Sequence, residues 1–160
     1  MLKLLLAAAL TQGPLAPGPL APRALDSLPA ELQPLVRELR QRGFTVLLQA
    51  PPRRGIYGLF EAKSKTLWVA PVAFELGIGR QTLLHEAVHA AQSCPRGVLT
   101  PIGWRVTLAP VVEQEIGGIL TTRYGHGNLA VEREAFGLQG QVDAVSKLIT
   151  ALRQRCKAHA

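Results

Sequence analysis

Residues 85–89 read His-Glu-Ala-Val-His, and this stretch constrains the fold more than any other part of the chain. In an α-helix, residues four positions apart lie one turn apart on the same face. If the stretch is helical, His85 and His89 can both bind one Zn²⁺ ion, at about 2.0–2.1 Å from each imidazole nitrogen. Most of the other residues between 83 and 91 are apolar. They indicate a helix that is buried behind the metal site.

Glu86 lies directly after the first histidine, where its carboxylate can hold a water molecule bound to zinc. Zinc lowers the pKa of such a water from about 15.7 to about 7, which makes hydroxide available at neutral pH. We therefore expect Glu86 to act as a general base and later to pass the proton to a leaving amine. The alternative is that His85 and His89 are ordinary histidines of a helix without a metal.

A catalytic zinc needs a third protein ligand and one open coordination position. Two glutamates of a predicted downstream helix, Glu132 and Glu134, are the candidates. They are two positions apart, so they point to different sides of the helix and only one of them can face the metal. The apolar residues of this helix favour neither glutamate strongly. From the residues alone, both alternatives stay open.

The rest of the chain predicts an α+β fold, a small domain in which a three-stranded sheet packs on the motif helix and on further C-terminal helices. Segments rich in β-branched and apolar residues predict three strands, the last two as a hairpin: 44–49, 56–60 and 66–70. Helical spacing and capping residues predict five helices: 28–42, 82–93, 110–123, 129–139 and 142–155. Pro34 can delay the start of the first helix. The segment 94–109 is expected to be a loop that forms a wall of the site.

Residues 1–25 are expected to precede a single folded domain that covers 26–160. Lys3 stands before a short apolar run at 4–10, which is typical of a secretory signal but too short to cross a bilayer. Because the cleavage site is poor, a structural or tail segment is the alternative. Four prolines at 12–24 exclude a regular helix and predict an extended linker. Export, a cytoplasmic location and a place in a larger assembly all stay open.

The chain carries a formal charge of +7, with 18 lysines and arginines against 11 acidic residues. The basic residues are scattered, and the densest group, Arg153, Arg155 and Lys157, lies at the predicted end of the last helix, where cations complement the helix dipole. We therefore predict no nucleic-acid partner. The two cysteines, Cys94 and Cys156, form one disulfide or remain as two buried thiols.

The motif and the downstream segment Glu132-Arg133-Glu134-Ala135 together resemble the gluzincin metallopeptidases, which include thermolysin-like enzymes and the compact minigluzincins. In that family the third ligand is the first glutamate of such a segment, so the resemblance implies that Glu132 binds the metal. Phe136 stands where the family usually has an aspartate that orients one metal-binding histidine. The resemblance covers about residues 28–140, and the predicted order of helices and strands is also similar to that of a minigluzincin.

The resemblance implies a zinc-dependent peptidase with a peptide or protein substrate. It also implies that the strand at 66–70 is a sheet edge that binds the peptide through main-chain hydrogen bonds; the alternative is a strand that only forms part of the core. The developing oxyanion needs a further hydrogen-bond donor, and we expect Tyr124 or His126, which precede the helix of Glu132. One alternative is a hydrolase that acts on a non-peptide amide. Another is a non-catalytic structural or regulatory protein that keeps the fold.

Overall fold

The computed structural model describes residues 21–123 and 129–158, and for 119–123 it describes only the helix. This part of the chain contains a three-stranded mixed sheet and six α-helices, which confirms the predicted α+β class. The elements are, in chain order, α1 Gln33–Gln41, β1 Thr45–Leu47, β2 Gly58–Glu61, β3 Thr66–Val69, α2 Pro71–Glu75, α3 Gly79–Ser93, α4 Pro110–Arg123, α5 Leu129–Gln139 and α6 Ala144–Arg155.

Helix α1 begins five residues later than the sequence predicts. A 3₁₀ turn, Ala30–Leu32, occupies the start of the predicted segment, and Pro34 lies in the first turn of α1. A proline is tolerated in the first helical turn, because the amide hydrogens there have no partner within the helix. Gly43 follows the helix with a φ angle of 80°, a conformation that glycine adopts without strain.

The sheet has the strand order β1-β3-β2, with β1 parallel and β2 antiparallel to β3. Leu67 of β3 therefore lies between Val46 of β1 and Phe60 of β2. The expectation that the strand at 66–70 is a free edge is wrong, because both of its sides pair with neighbours. The reason is that the hairpin folds β3 back into the centre of the sheet, so β2 becomes the outer strand.

Helix α3 is the centre of the domain, and twelve of its fifteen residues are buried. It contacts β2, β3, α2, α5 and α6. A helix surrounded on most sides needs apolar residues on most sides, which agrees with the apolar residues around the motif. Leu83, Leu84 and Val88 are almost fully buried in the core. The position of α3 is thus fixed by packing against several elements at once.

A disulfide between Cys94 and Cys156 joins the C-terminal ends of α3 and α6, with the two Cα atoms 5.1 Å apart. Arg155 strengthens the same junction, because its guanidinium donates hydrogen bonds to the carbonyl oxygens of Ala91 and Cys94. Arg153 pairs with the buried carboxylate of Glu38. Two of the three cations in the basic C-terminal group therefore hold the domain together.

Other differences from the sequence-based expectations are small. The short helix α2 was not predicted, and α3 begins at Gly79 instead of at residue 82. The segment 94–109 contains no regular helix or strand, as expected. The backbone of Arg23 donates a hydrogen bond to Leu48, three residues ahead of the predicted start of the domain. The proposed signal at 4–10 lies outside the described residues, and no described helix is long and apolar enough to span a membrane.

Candidate metal centre

Three buried side chains from two helices meet at one point of the domain. His85 and His89 lie on one face of α3, and Glu132 reaches them from the first turn of α5. Oε2 of Glu132 lies 3.2 Å from Nε2 of His85 and 3.4 Å from Nε2 of His89. The two Nε2 atoms are 3.1 Å apart. The structure thus brings together the three residues that the sequence and the family resemblance assign to the metal.

The three atoms have the spacing that a tetrahedral metal ion requires. Bonds of about 2.0–2.1 Å at tetrahedral angles separate neighbouring ligand atoms by about 3.3–3.4 Å. The observed separations of His85, His89 and Glu132 lie between 3.1 and 3.4 Å. Two imidazoles and one carboxylate also form a known type of catalytic zinc site. These residues therefore fit a divalent metal ion.

Each histidine has a hydrogen-bond partner on the ring nitrogen that faces away from this point. Nδ1 of His89 lies 2.8 Å from Oε1 of Gln92, and Nδ1 of His85 lies 2.9 Å from Oε1 of Gln139. An amide oxygen accepts a hydrogen bond, so it favours the imidazole tautomer with the proton on Nδ1. The Nε2 lone pairs of both neutral rings then point toward Glu132 and are available to a metal.

Glu134 does not face the histidines. Its buried carboxylate accepts hydrogen bonds from the backbone N–H groups of Ile102, Gly103 and Trp104, at 2.7–2.9 Å. It also accepts one from Gln92. Of the two glutamates that the residues alone could not separate, Glu132 is therefore the one beside the histidines. Glu134 instead fixes the segment 102–104 against α5.

The protonation of the metal-free site reflects its mixture of charges. Burial raises the pKa of Glu132, but hydrogen bonds to His85 and His89 and their positive charges outweigh burial and lower it to about 2. Burial lowers the pKa of His89, but the hydrogen bond and the charge of Glu132 outweigh burial and raise it above its usual value. The site therefore holds an ionised carboxylate and attracts positive charge, whether a proton or a metal ion.

Glu86 lies beside this cluster on α3 and is also buried. Burial raises the pKa of its carboxyl group, and the charge of Glu132 adds to the effect. The charges of His85 and His89 act in the opposite direction and are outweighed. A carboxylate with a raised pKa is a stronger base, which suits Glu86 to accept a proton.

A cleft of about 440 Å³ opens beside His85 and Glu86. Its walls come from the N-terminal half of α3, from α5, and from the start of β2 with the residues that precede it; the lining includes Ile56, Tyr57, Gly58, Gln81, Thr82, Phe136 and Gln139. This volume lies in the range of about 300–1,000 Å³ typical of small-molecule sites. The predicted oxyanion donors, Tyr124 and His126, lie outside the described residues, so their role stays a prediction.

Sequence reasoning missed the two glutamines that orient the histidines. Gln92 is three positions after His89, on the same face of α3, so helical spacing could have identified it. Gln139 lies seven positions, or two turns, after Glu132. Phe136, at the position of the family's aspartate, packs its ring against His85 with the centroids 4.6 Å apart. Gln139 therefore supplies the hydrogen bond that Phe136 cannot.

Comparisons of the chain with protein-family models, with curated proteins and with solved structures find no match. The similarity to gluzincins therefore rests on the motif and on the order of the elements. Independently of any family, the described residues contain one group of histidine and carboxylate side chains that could hold a metal ion, His85, His89 and Glu132.

Proposed function

We propose that this protein is a zinc-dependent peptidase of the gluzincin type. The observation that carries the proposal is the convergence of His85, His89 and Glu132, with their ligand atoms 3.1–3.4 Å apart. Glu86 lies next to them at the wall of an open cleft. A metal site held by three protein side chains beside a cleft is typical of catalytic zinc, since a structural zinc site is usually closed by four.

The donor set supports zinc as the metal. Two neutral imidazoles and one carboxylate suit Zn²⁺, and the site has no cysteine ligand. Bound zinc would polarise the carbonyl group of the substrate and increase the acidity of a water molecule. His85, His89 and Glu132 would hold the ion, while Gln139 and Gln92 keep the two rings in the required orientation.

Glu86 supplies the base in this proposal. Its raised pKa suits it to take a proton from the attacking water. The same carboxyl group can then donate that proton to the nitrogen of the leaving amine, since Glu86 lines the cleft in which this proposal places the scissile bond. The net reaction consumes one water molecule and releases a carboxylic acid and an amine.

The shape of the cleft supports an extended peptide as the substrate. Strand β2 is an outer strand of the sheet, and its first residue, Gly58, lines the cleft beside Glu86. The outer side of such a strand has N–H and C=O groups that no neighbouring strand pairs, and these can bind a peptide as an additional strand. The backbone N–H of Phe60 in β2 already hydrogen-bonds to the Glu86 carboxyl. In this proposal β2, and not β3, is the substrate-binding edge.

The test is hydrolysis of a fluorogenic peptide library by the zinc-loaded chain. We expect Glu86→Gln to keep zinc and to lower the rate about 10²–10⁴-fold. The matched control is Glu75→Gln, the same change on a half-exposed glutamate at the end of α2, and it should leave the rate unchanged. Bound zinc without turnover that depends on Glu86 would contradict the proposal and favour a structural or regulatory role.

A further inference from the structure

We propose that Glu134 is a positioning residue that acts through Gln92 to orient the His89 ring as a metal ligand. This inference rests on the metal site of the proposed function, but not on peptide hydrolysis. The three residues form a continuous buried path: Glu134 accepts from Gln92 at 2.8 Å, and Gln92 faces His89 at 2.8 Å. All three side chains are at least nine-tenths buried.

The carboxylate of Glu134 is surrounded by hydrogen-bond donors. Oε1 accepts from the backbone N–H groups of Gly103 and Trp104, at 2.7 and 2.9 Å. Oε2 accepts from the N–H of Ile102 at 2.7 Å and from Nε2 of Gln92 at 2.8 Å. An ionised carboxylate has about four acceptor sites and no donor. The four donors therefore occupy all the acceptor positions of the Glu134 carboxylate, and the group of Gln92 that faces it must be the NH₂ donor.

This arrangement determines which way the amide of Gln92 points. Its NH₂ group donates to Glu134 and also to the carbonyl oxygen of Val131, at 3.0 Å. Both amide hydrogens are then used, and the amide oxygen must face Nδ1 of His89. Because an oxygen can only accept, it matches a His89 ring that carries its proton on Nδ1 while Nε2 binds a metal ion. In the metal-free site the Glu132 carboxylate, 3.4 Å from Nε2, competes for that proton.

The opposite orientation of Gln92 would disable the ligand. An amide NH₂ directed at Nδ1 needs a lone pair there, which moves the proton of the neutral ring to Nε2. A protonated Nε2 cannot bind a metal ion. The Glu134 carboxylate prevents this orientation, because it has no hydrogen to donate to the amide oxygen of Gln92. It can form a hydrogen bond only with the NH₂ group. The same carboxylate holds the segment 102–104, so the position of that segment and the state of His89 are linked.

The experiment compares zinc affinity, by calorimetric titration, with the Nδ1–H signals of the imidazole rings in the zinc-loaded chain, by ¹⁵N NMR. In the wild type we expect Gln92 to protect the Nδ1–H of His89 from exchange with water. In Glu134→Gln we expect that proton to exchange faster and zinc to bind about 10–100-fold more weakly, while the Nδ1–H of His85, which faces Gln139, stays unchanged. Glu75→Gln is the matched control and should change neither the exchange nor the affinity. A folded Glu134→Gln variant with wild-type exchange and zinc affinity would overturn the proposal.

Gln92→Met tests the same path if Glu134→Gln does not fold. Methionine keeps the size of the side chain but has no amide, so the Nδ1–H of His89 should lose its acceptor and zinc should bind about 10–100-fold more weakly. Unchanged zinc affinity in Gln92→Met would also overturn the inference. Both readouts need zinc but no substrate. A wild-type chain that binds zinc but does not cut peptides would therefore contradict the proposed function alone.

Discussion

Gly58 of β2 approaches Glu86 of α3 so closely that a Cβ atom at position 58 would lie 2.6 Å from Oε1 of Glu86. The same atom would lie 2.6 Å from a methyl carbon of Thr82. Real Cβ atoms do not approach heavy atoms this closely, so any larger residue must displace one of its neighbours. The absence of a side chain at Gly58 therefore allows the outer strand to lie directly against the proposed base.

Gly58→Ala should lower peptide hydrolysis without removing the metal. The new methyl group pushes the carboxylate of Glu86 from its position, and a displacement of about 1 Å can cost about 100-fold in rate. Zinc binding should stay close to that of the wild type, because none of the three proposed ligands contacts position 58 in this way. The measurement is kcat for a cleaved peptide, together with the zinc content.

The control for this change is Gly140→Ala, since an added Cβ at position 140 meets no atom within 4 Å. It should leave both kcat and zinc content unchanged. If Gly58→Ala has full activity, Glu86 does not need its observed position and the proposed role of Glu86 loses its geometric support.

The local parts of this site follow from the sequence, whereas the long-range parts do not. His85 and His89 meet because residues four apart in a helix always share a face, and the apolar residues around them indicate a buried helix. The choice between Glu132 and Glu134 needed the family resemblance. It depends on where the segment 102–104 packs, and neither spacing nor propensity encodes that.

Glu86→Gln should stabilise the metal-free chain at alkaline and neutral pH. Folding raises the pKa of Glu86 through burial, so the folded state binds the proton more tightly than the unfolded state. The Glu86 carboxyl therefore adds to the free energy of unfolding below its ordinary pKa of 4.5. This contribution is lost as the pH rises through the raised pKa of the folded state. A neutral glutamine avoids that loss.

Thermal melting in the presence of a chelator measures this effect. At pH 8 the variant should melt at a higher temperature than the wild type, and the difference should shrink below pH 4.5. A variant that melts at the lower temperature at pH 8 would show that the Glu86 carboxylate is stabilised in the fold, contrary to its burial.

Zinc affinity should rise with pH across the neutral range. The pKa of His89 is raised in the metal-free site, so a proton still competes for Nε2 above pH 6.5. Each unit of pH below the raised value should weaken binding about tenfold, if one proton is displaced. Glu132, with a pKa of about 2, stays ionised and should add no step between pH 5 and 8. Calorimetric titrations in buffers of different ionisation enthalpy would count the protons released, and a pH-independent affinity would contradict this account.

Removal of the disulfide should lower the free energy of unfolding by about 4 kcal/mol, because the bond between Cys94 and Cys156 closes a loop of about 62 residues in the unfolded chain. The double variant Cys94→Ser/Cys156→Ser and the reduced wild type should unfold at similar denaturant concentrations, well below that of the oxidised wild type. Equal stability of the oxidised and reduced chains would show that the two cysteines are not joined in solution.

The fold shows a similar division between local and long-range information. The strands and most helices could be predicted from residue patterns, but the position of β3 in the middle of the sheet depends on which strands pair across the chain. Helix α2 was missed because five residues are too few to show a helical period, although Pro71 is well suited to its first position. The disulfide likewise needs the ends of α3 and α6 to meet, and sequence spacing does not show this.

The central claim is that His85, His89 and Glu132 hold one metal ion. Its most direct test is calorimetric titration of zinc into the metal-free chain at pH 7.5, for the wild type and for Glu132→Ala. The account predicts one ion per wild-type chain and an affinity at least about 100-fold lower in Glu132→Ala, because one of three ligands is lost. Failure of the wild type to bind zinc, or equal binding by both proteins, would contradict it.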